Sequence, residues 1–525
     1  VDHAPDAAGG RGSDRGERRQ RIRELNPVTD PAELQLIARA RGFADRRALI
    51  GPEGSCSYAE LLDSSGRVAA ALLDGRSDLD EARVAFLVPP GLDHVAVQWG
   101  IWRAGGIAVP LALSHPRAEL EYVVRDSDPE WLVCHPELED RLRPIATELG
   151  LRYLGTDEIS PRDAVELPEL EPERAAMIVY TSGTTGKPKG VLSTHANIAA
   201  QVTSLVDAWG WRPDDHILGV LPLHHVHGIV NVLCCALWSG ATCELAPSFD
   251  AEVAWQRLAS GEITLFMAVP TIYFRLIAAW DASPEERRQR WSEGASGLRL
   301  MVSGSAALPQ TTLERWREIT GRVLLERYGM TEFGMALSNP LVGERRAGSV
   351  GKPLPGVEAR LVDETGRPVA EGEPGEIQVR GPGVFREYWR RPEATHGAFR
   401  DGWFATGDLA VIEEGSYRIL GRSSVDILKS GGSKISALEI EETLREHPLI
   451  DDCAVVGVAD PEWGQRVAVA VVLAEGAALG LDELREWGRE RLAPSKLPTL
   501  LRAVDDLPRS AMGKVFKPAV VEIFE

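Results

Sequence analysis

Three features of the sequence predict a multidomain protein of mixed α/β and α+β class. Up to Gly348, short apolar runs alternate with amphipathic stretches at the spacing of strand–helix–strand units, which build parallel sheets. Past Gly348 the texture changes. Residues 357–362 and 375–380 are short β-like runs set between Gly/Pro turns, the pattern of an antiparallel subdomain. Past Arg422, a helical pattern from Ser436 and apolar runs at 453–458 and 466–473 predict a smaller α+β domain. A chain of 525 residues exceeds one ordinary core. The expected division is a disordered tail at 1–26, a large N-terminal domain at 27–422 and a small C-terminal domain at 423–525, joined at Ser423-Ser424.

Each element has its own local reason. The tail is rich in Gly, Asp and Arg and lacks an apolar signal core; Asp2, Asp6, Asp14 and Glu17 depart from the acidic-poor composition of transit peptides. A helix is expected after Pro31 and a strand at 47–50. Ser57, with Glu60 three residues on, forms a capping box for a helix running to Leu73. A buried strand at 83–88 stops at Pro89-Pro90-Gly91, and a helix at 94–102 stops at Gly105-Gly106 before a strand at 107–110. Residues 128–134, 175–180, 217–221, 265–269 and 298–302 are further strands, with helices at 194–209 and 229–238. Nearly every strand ends in a small or polar loop, where open α/β sheets gather ligands.

Composition removes several function classes. A formal net charge of −20 disfavours nucleic acid and anionic membrane as partners. No uninterrupted apolar run has membrane-spanning length. The six cysteines include no C-x-x-C pair, so reduced thiols and a cytoplasmic protein are expected. His224, His225 and His227 lack the further ligands of a zinc site, and the two adjacent rings diverge.

The most informative stretch is Tyr180-Thr-Ser-Gly-Thr-Thr-Gly-Lys-Pro-Lys-Gly190, which follows a strand directly. Its glycines let the backbone turn several N–H groups toward one anion, while hydroxyls and two ammonium groups add charge-assisted bonds. Polyphosphate suits such a loop. It is not the G-x-x-x-x-G-K-[ST] phosphate loop, because Gly183 and Gly186 are too close and Pro188 stands where a metal-holding hydroxyl would be.

With Glu326-Arg-Tyr-Gly-Met-Thr-Glu332, Trp403-Phe-Ala-Thr-Gly-Asp408, Gly421-Arg422 and Pro508-Arg-Ser-Ala-Met-Gly-Lys514 following in order, the chain resembles acyl-CoA synthetases of the adenylate-forming family from roughly residue 45 onward. The resemblance implies two steps. A carboxylate attacks the α-phosphorus of ATP to give acyl-AMP, and coenzyme A then takes the acyl group. It also implies roles. Thr181, Ser182, Gly183, Thr184, Thr185, Gly186, Lys187 and Lys189 would hold the β- and γ-phosphates. Tyr328 would stack on adenine, with Ser303, Gly304, Ser305 and Ala306 along its edge. Thr331 would meet the α-phosphate and Glu332 would hold Mg2+, a hard ion that suits a carboxylate and phosphate oxygens. Asp408 and Arg422 would take the ribose. Lys514 would be the catalytic lysine, carried to the adenylate by a mobile small domain and withdrawn when that domain turns. Ser424 stands where relatives commonly place Asp or Lys at the hinge. Ser430 and Gly431 would then line the coenzyme A face.

The acid is a small-molecule carboxylate. His225 resembles a gating residue beside the acyl site, and Ser305 and Met335 would line a short pocket. Arg275, in Pro270-Thr-Ile-Tyr-Phe-Arg275, is the sharpest residue: either it faces solvent on an amphipathic helix, or, buried beside the acyl pocket of relatives, it implies a second carboxylate on the substrate. The surrounding texture resembles malonyl-CoA synthetases, in which an arginine at this place binds the distal carboxylate of malonate. Malonate is therefore expected first and methylmalonate second. The alternatives are a short- or medium-chain monocarboxylate–CoA ligase and a standalone adenylation enzyme loading a separate carrier protein.

Overall fold

The computed structural model describes residues 34–159, 165–181, 187–430, 433–461, 463–509 and 514–525. The expected tail at 1–26 lies outside them, as do Ser182, Gly183, Thr184, Thr185, Gly186 and Gly431.

Two large sheets form the core of the N-terminal part. In the seven-stranded sheet the order is Glu387–Tyr388, Lys189–Thr194, Ala175–Thr181, Ile107–Pro110, Arg83–Leu87, Trp131–Cys134 and Arg152–Gly155. Its five strands from Ala175–Thr181 to Arg152–Gly155 are parallel, and the two beyond are antiparallel. The nine-stranded sheet has Leu325–Met330, Leu300–Ser303, Leu265–Ala268, His216–Gly219, Thr242–Leu245 and Arg47–Gly51 as its parallel centre. Central strands such as Leu265–Ala268 and Trp131–Cys134 are buried at every position, which is why they appear as unbroken apolar runs.

The helices follow their caps. Ser57 and Glu60 make the expected reciprocal box before helix Tyr58–Leu73, and Thr194 does the same with Asn197 before helix His195–Trp209. Behind the nine-stranded sheet, Trp255 stacks on Trp291 and on Trp316, with ring centroids 5.4 Å apart in each pair. These rings fix the helices Ala251–Leu258, Glu285–Ser296 and Gln310–Thr320 against the strand ends that carry the site.

The expected antiparallel subdomain is a five-stranded sheet built around the long strand Trp403–Glu413, which pairs with Gly375–Arg380 and Ser416–Arg422. A second five-stranded sheet follows in the C-terminal part, with Ile450–Asp460 and Gly464–Leu473 as its longest pair. The two parts meet close to the covalent link. The Ser436 hydroxyl donates to the Leu420 carbonyl at 2.5 Å, and Asp426 accepts from the Arg422 N–H at 3.0 Å.

The structure corrects several expectations. The helix after Pro31 occupies only Gln35–Arg41. The strand Lys189–Thr194, which has no counterpart among the expected elements, pairs antiparallel with Ala175–Thr181 and runs into helix His195–Trp209. The helix expected at 229–238 opens two residues earlier as a π-helical turn, His227–Cys234, and such turns gather at functional sites.

Candidate active site

The stretch expected to hold phosphates lies between the paired strands Ala175–Thr181 and Lys189–Thr194, where Thr181 faces Lys189. Its two described lysines each rest on a tyrosine ring: Lys187 over Tyr122 at 5.6 Å and Lys189 over Tyr388 at 4.9 Å. The Tyr388 hydroxyl donates to Oε1 of Glu332 at 2.8 Å, so one side chain links a loop lysine to the carboxylate expected to hold metal. Glu332 is 5% exposed. Burial raises its pKa, against the pull of Tyr388 and of the positive charge on Arg422. A buried hard oxygen donor beside a phosphate loop fits Mg2+. Among the described residues no group of three His, Cys, Asp or Glu could hold a metal ion without such help.

Strand Leu325–Met330 and the turn after it carry the second motif. Thr331 lies in that turn, half-buried beside Glu332. Tyr328 donates to Oδ2 of Asp408 at 2.5 Å, and Arg422 meets Oδ1 of the same carboxylate at 3.0 Å. Asp408 and Arg422 face each other across neighbouring strands, which explains how residues separated in sequence share one spot. The sequence places all three at the nucleoside, and the structure brings them together.

At the end of strand Leu300–Ser303 lies a cluster that only partly matches expectation. Ser305 sits in the left-handed region at φ 72°, a conformation that costs about 1–2 kcal/mol for a residue with a Cβ. Its hydroxyl lies 3.3 Å from Nδ1 of His227 and accepts from Nη2 of Arg327 at 3.2 Å. Gly304 lies against the same guanidinium: a Cβ there would stand 2.6 Å from Cζ of Arg327. Ser303 is fully buried and Ala306 exposed.

Arg327 is 3% exposed, has no ion pair among the described residues, and its Nε lacks a partner. Burial lowers its pKa to about 9. An unpaired buried guanidinium is expensive, so this is a built-in demand for an anion. The sequence reading passed over it because Arg327 stands inside a motif whose tyrosine drew the assignment. Its charge in a buried strand was the available signal. Tyr388 was missed likewise.

Arg275 corrects the expectation of a buried guanidinium. On helix Pro270–Asp281 the inward residues include Ile272, Tyr273, Leu276 and Ile277, while Phe274 and Arg275 are exposed. The Arg275 guanidinium lies over the Phe249 ring at 5.4 Å. Met335 is buried and packs against the motif backbone, since a Cβ on Gly329 would lie 2.5 Å from its methyl group.

His225 is half-buried, 4.1 Å between ring centroids from His224. Burial, with His224 and Lys514 nearby, holds its pKa well below the usual range, so the ring is neutral at pH 7. Lys514 comes from the C-terminal part, yet Arg327, Arg422 and Asp408 all act on its charge, and it acts on His225 and His227. Surrounding protein, then Arg327 and Arg422, lower its pKa, and Asp408 opposes them. Its side chain keeps contact with solvent. Ser430 ends strand Ile427–Ser430 and is half-buried.

The arrangement sets Tyr328 and Arg422 on the Asp408 carboxylate, with one uncompensated positive charge, Arg327, nearby among the described residues. Relatives have the same frame. The family model described as AMP-binding enzyme matches residues 36–389, and that described as AMP-binding enzyme C-terminal domain matches 439–514. The chain is 48% identical to the mitochondrial malonate–CoA ligase ACSF3 of Mus musculus, over 96% of this chain and 94% of that protein. The crystal structure of ATP-bound MatB from Rhodopseudomonas palustris is 36% identical and superposes with a TM-score of 0.86, covering 94% of this chain and 99% of that one. The apo crystal structure of the same protein gives 0.77 at the same coverage. No helix among the described residues is long and apolar enough to cross a membrane. Fold, motifs and matched length agree, and the chain belongs to the family of AMP-binding enzymes.

Proposed function

We propose that the chain is an ATP-dependent acid–thiol ligase that converts malonate to malonyl-CoA. In the first step a carboxylate oxygen of malonate attacks the α-phosphorus, the bond to the β-phosphate oxygen breaks, and pyrophosphate leaves. In the second, the coenzyme A sulfur attacks the acyl carbon, AMP leaves with the electron pair of the mixed anhydride, and the thiol proton passes to solvent. Lys187 and Lys189 offset charge on the β- and γ-phosphates, Thr331 meets the α-phosphate, and Asp408 and Arg422 hold the ribose. Tyr328 packs its ring against adenine while its hydroxyl fixes Asp408. Magnesium, when bound, neutralises phosphate oxygens, and Glu332 would hold it with Tyr388 fixing its other side.

Lys514 bridges the attacking carboxylate and the α-phosphate, then leaves as the small domain turns about Ser424 to present Ser430 and Gly431 to coenzyme A. His225, neutral and close to Lys514, lines the passage between the two half-reactions.

The observation that carries the choice of acid is the buried, unpaired Arg327 beside Ser305. A monocarboxylate would leave that guanidinium unanswered, whereas a distal carboxylate pairs with it. Arg275 is the second candidate for this contact, and its role rests on the resemblance of the Pro270–Arg275 stretch. The 48% identity to a malonate–CoA ligase supports the same acid.

The test is pyrophosphate exchange with malonate, methylmalonate, acetate and butyrate, on the wild type, Arg327→Met and Arg275→Ala. Malonate is expected to lead. Loss of a buried charged partner predicts a fall of roughly a hundredfold or more in malonate kcat/KM for Arg327→Met, with much less change for butyrate. Equal loss for both acids in both variants overturns the distal-carboxylate reading.

A further inference from the structure

Helix Arg117–Ser127 carries none of the motifs, yet one of its faces holds both ends of the phosphate loop. Tyr122 and Asp126 are four residues apart and therefore neighbours on that face. The Tyr122 hydroxyl donates to the Pro188 carbonyl at 2.7 Å, just beyond the loop, and its ring lies under Lys187. Asp126 accepts from the Tyr180 hydroxyl at 2.8 Å, just before the loop. Its other oxygen takes Nη2 of Arg391 at 2.5 Å, and its carbonyl accepts from the Trp389 indole at 3.1 Å. Trp389 also donates its backbone N–H to the Gly190 carbonyl at 2.8 Å. Helix, hairpin and the 389–391 segment thus close a ring around the loop's base, and Tyr388 in the same segment holds Glu332.

We infer that Tyr122 and Asp126 are positioning residues for ATP: they fix the spacing of the two limbs at Tyr180 and Pro188 between which the triphosphate would be held. A loop with free ends would have to be ordered at the moment of binding, and that entropy would come out of the affinity. The bonds are too specific for packing alone, because each uses a polar atom aimed at a loop flank. The inference rests on the reading of residues 181–189 as the triphosphate loop.

The experiment measures pyrophosphate exchange and thioester formation from supplied malonyl-AMP in the full chain, for Tyr122→Phe, Asp126→Asn and their double variant, with Lys187→Ala as the loop control. Removing one such hydrogen bond is expected to raise the KM for ATP about tenfold. The KM for malonate and the rate from malonyl-AMP should stay close to wild type. An unchanged ATP KM in the double variant overturns the inference when Lys187→Ala raises it. If Lys187→Ala leaves ATP KM untouched, the triphosphate reading of the loop itself falls. Equal damage to both half-reactions makes these residues structural and also overturns the inference. Should Asp126→Asn fail to fold, Tyr122→Phe, which deletes one hydroxyl, decides.

Discussion

Arg327 and Glu326 are adjacent, both buried, and both ionisable, and they pose opposite problems. Arg327 has no counter-ion among the described residues and awaits an anion. Glu326 is 6% exposed, and burial pushes its pKa from 4.5 to about 8, with Glu442 of the C-terminal part adding to the rise and the Gly348 N–H opposing it. The consequence for stability has a definite sign. Below pH 4.5 folded and unfolded chains both carry the proton. Above it the unfolded chain releases the proton while the folded chain keeps it, so stability falls as pH rises toward about 8. Glu326→Gln, always neutral, should flatten this limb in denaturant unfolding followed from pH 5 to pH 8, a window set by linkage to roughly these values. A slope like that of wild type would contradict the burial of a neutral Glu326. At this scale the sequence named the motif but not the burden of each residue in it. The expected burial of Arg275 fails because Ile272, Tyr273, Leu276 and Ile277 form a helical stripe that turns 274 and 275 outward.

Elements were more legible than residues where their reasons were local. Capping at Ser57, the helix beginning near Thr194, the strands at 107–110 and 375–380, and the change of texture at Gly348 were all in the sequence. What could not be read was pairing at a distance. The strand Lys189–Thr194 is short and runs into a helix; its strand character comes from Ala175–Thr181 and from Glu387–Tyr388, nearly two hundred residues later. Likewise the π-helical turn at His227–Cys234 has no sequence signature, because it is set by packing around Gly228. A Cβ on Gly228 would lie 2.4 Å from the Pro222 carbonyl oxygen, and neither backbone can yield cheaply. Gly228→Ala should therefore cost about 1–3 kcal/mol by overpacking and shift the segment carrying His225 and His227. Thermal unfolding together with malonate kcat/KM checks this. Unchanged values for both would mean that the turn relaxes freely.

At the scale of the molecule, a group from one part completes a site in the other. Lys514 feels the charges of Arg327, Arg422 and Asp408, while Lys517, three residues on, is buried against Glu441, the Val455 carbonyl at 2.6 Å and Asp426 at 3.5 Å. Asp426 in turn holds the Arg422 N–H, so the segment bearing the lysine and the link between the parts are tied by polar bonds. The division of the chain was visible in composition, and the family motifs supplied Lys514; that the two parts meet through Asp426 and Lys517 was not readable, because it needs the fold. Since the pKa of Lys514 is lowered, its ammonium is lost earlier than an ordinary lysine's as pH rises. Adenylation should fall on that alkaline limb, and thioester formation should lack it.

The two half-reactions of Lys514→Ala, measured side by side, test the central claim most directly. Malonate-dependent pyrophosphate exchange should vanish, while transfer from supplied malonyl-AMP to coenzyme A proceeds near the wild-type rate. Equal loss in both, or exchange that survives the substitution, would contradict a site completed by this lysine for the first step alone.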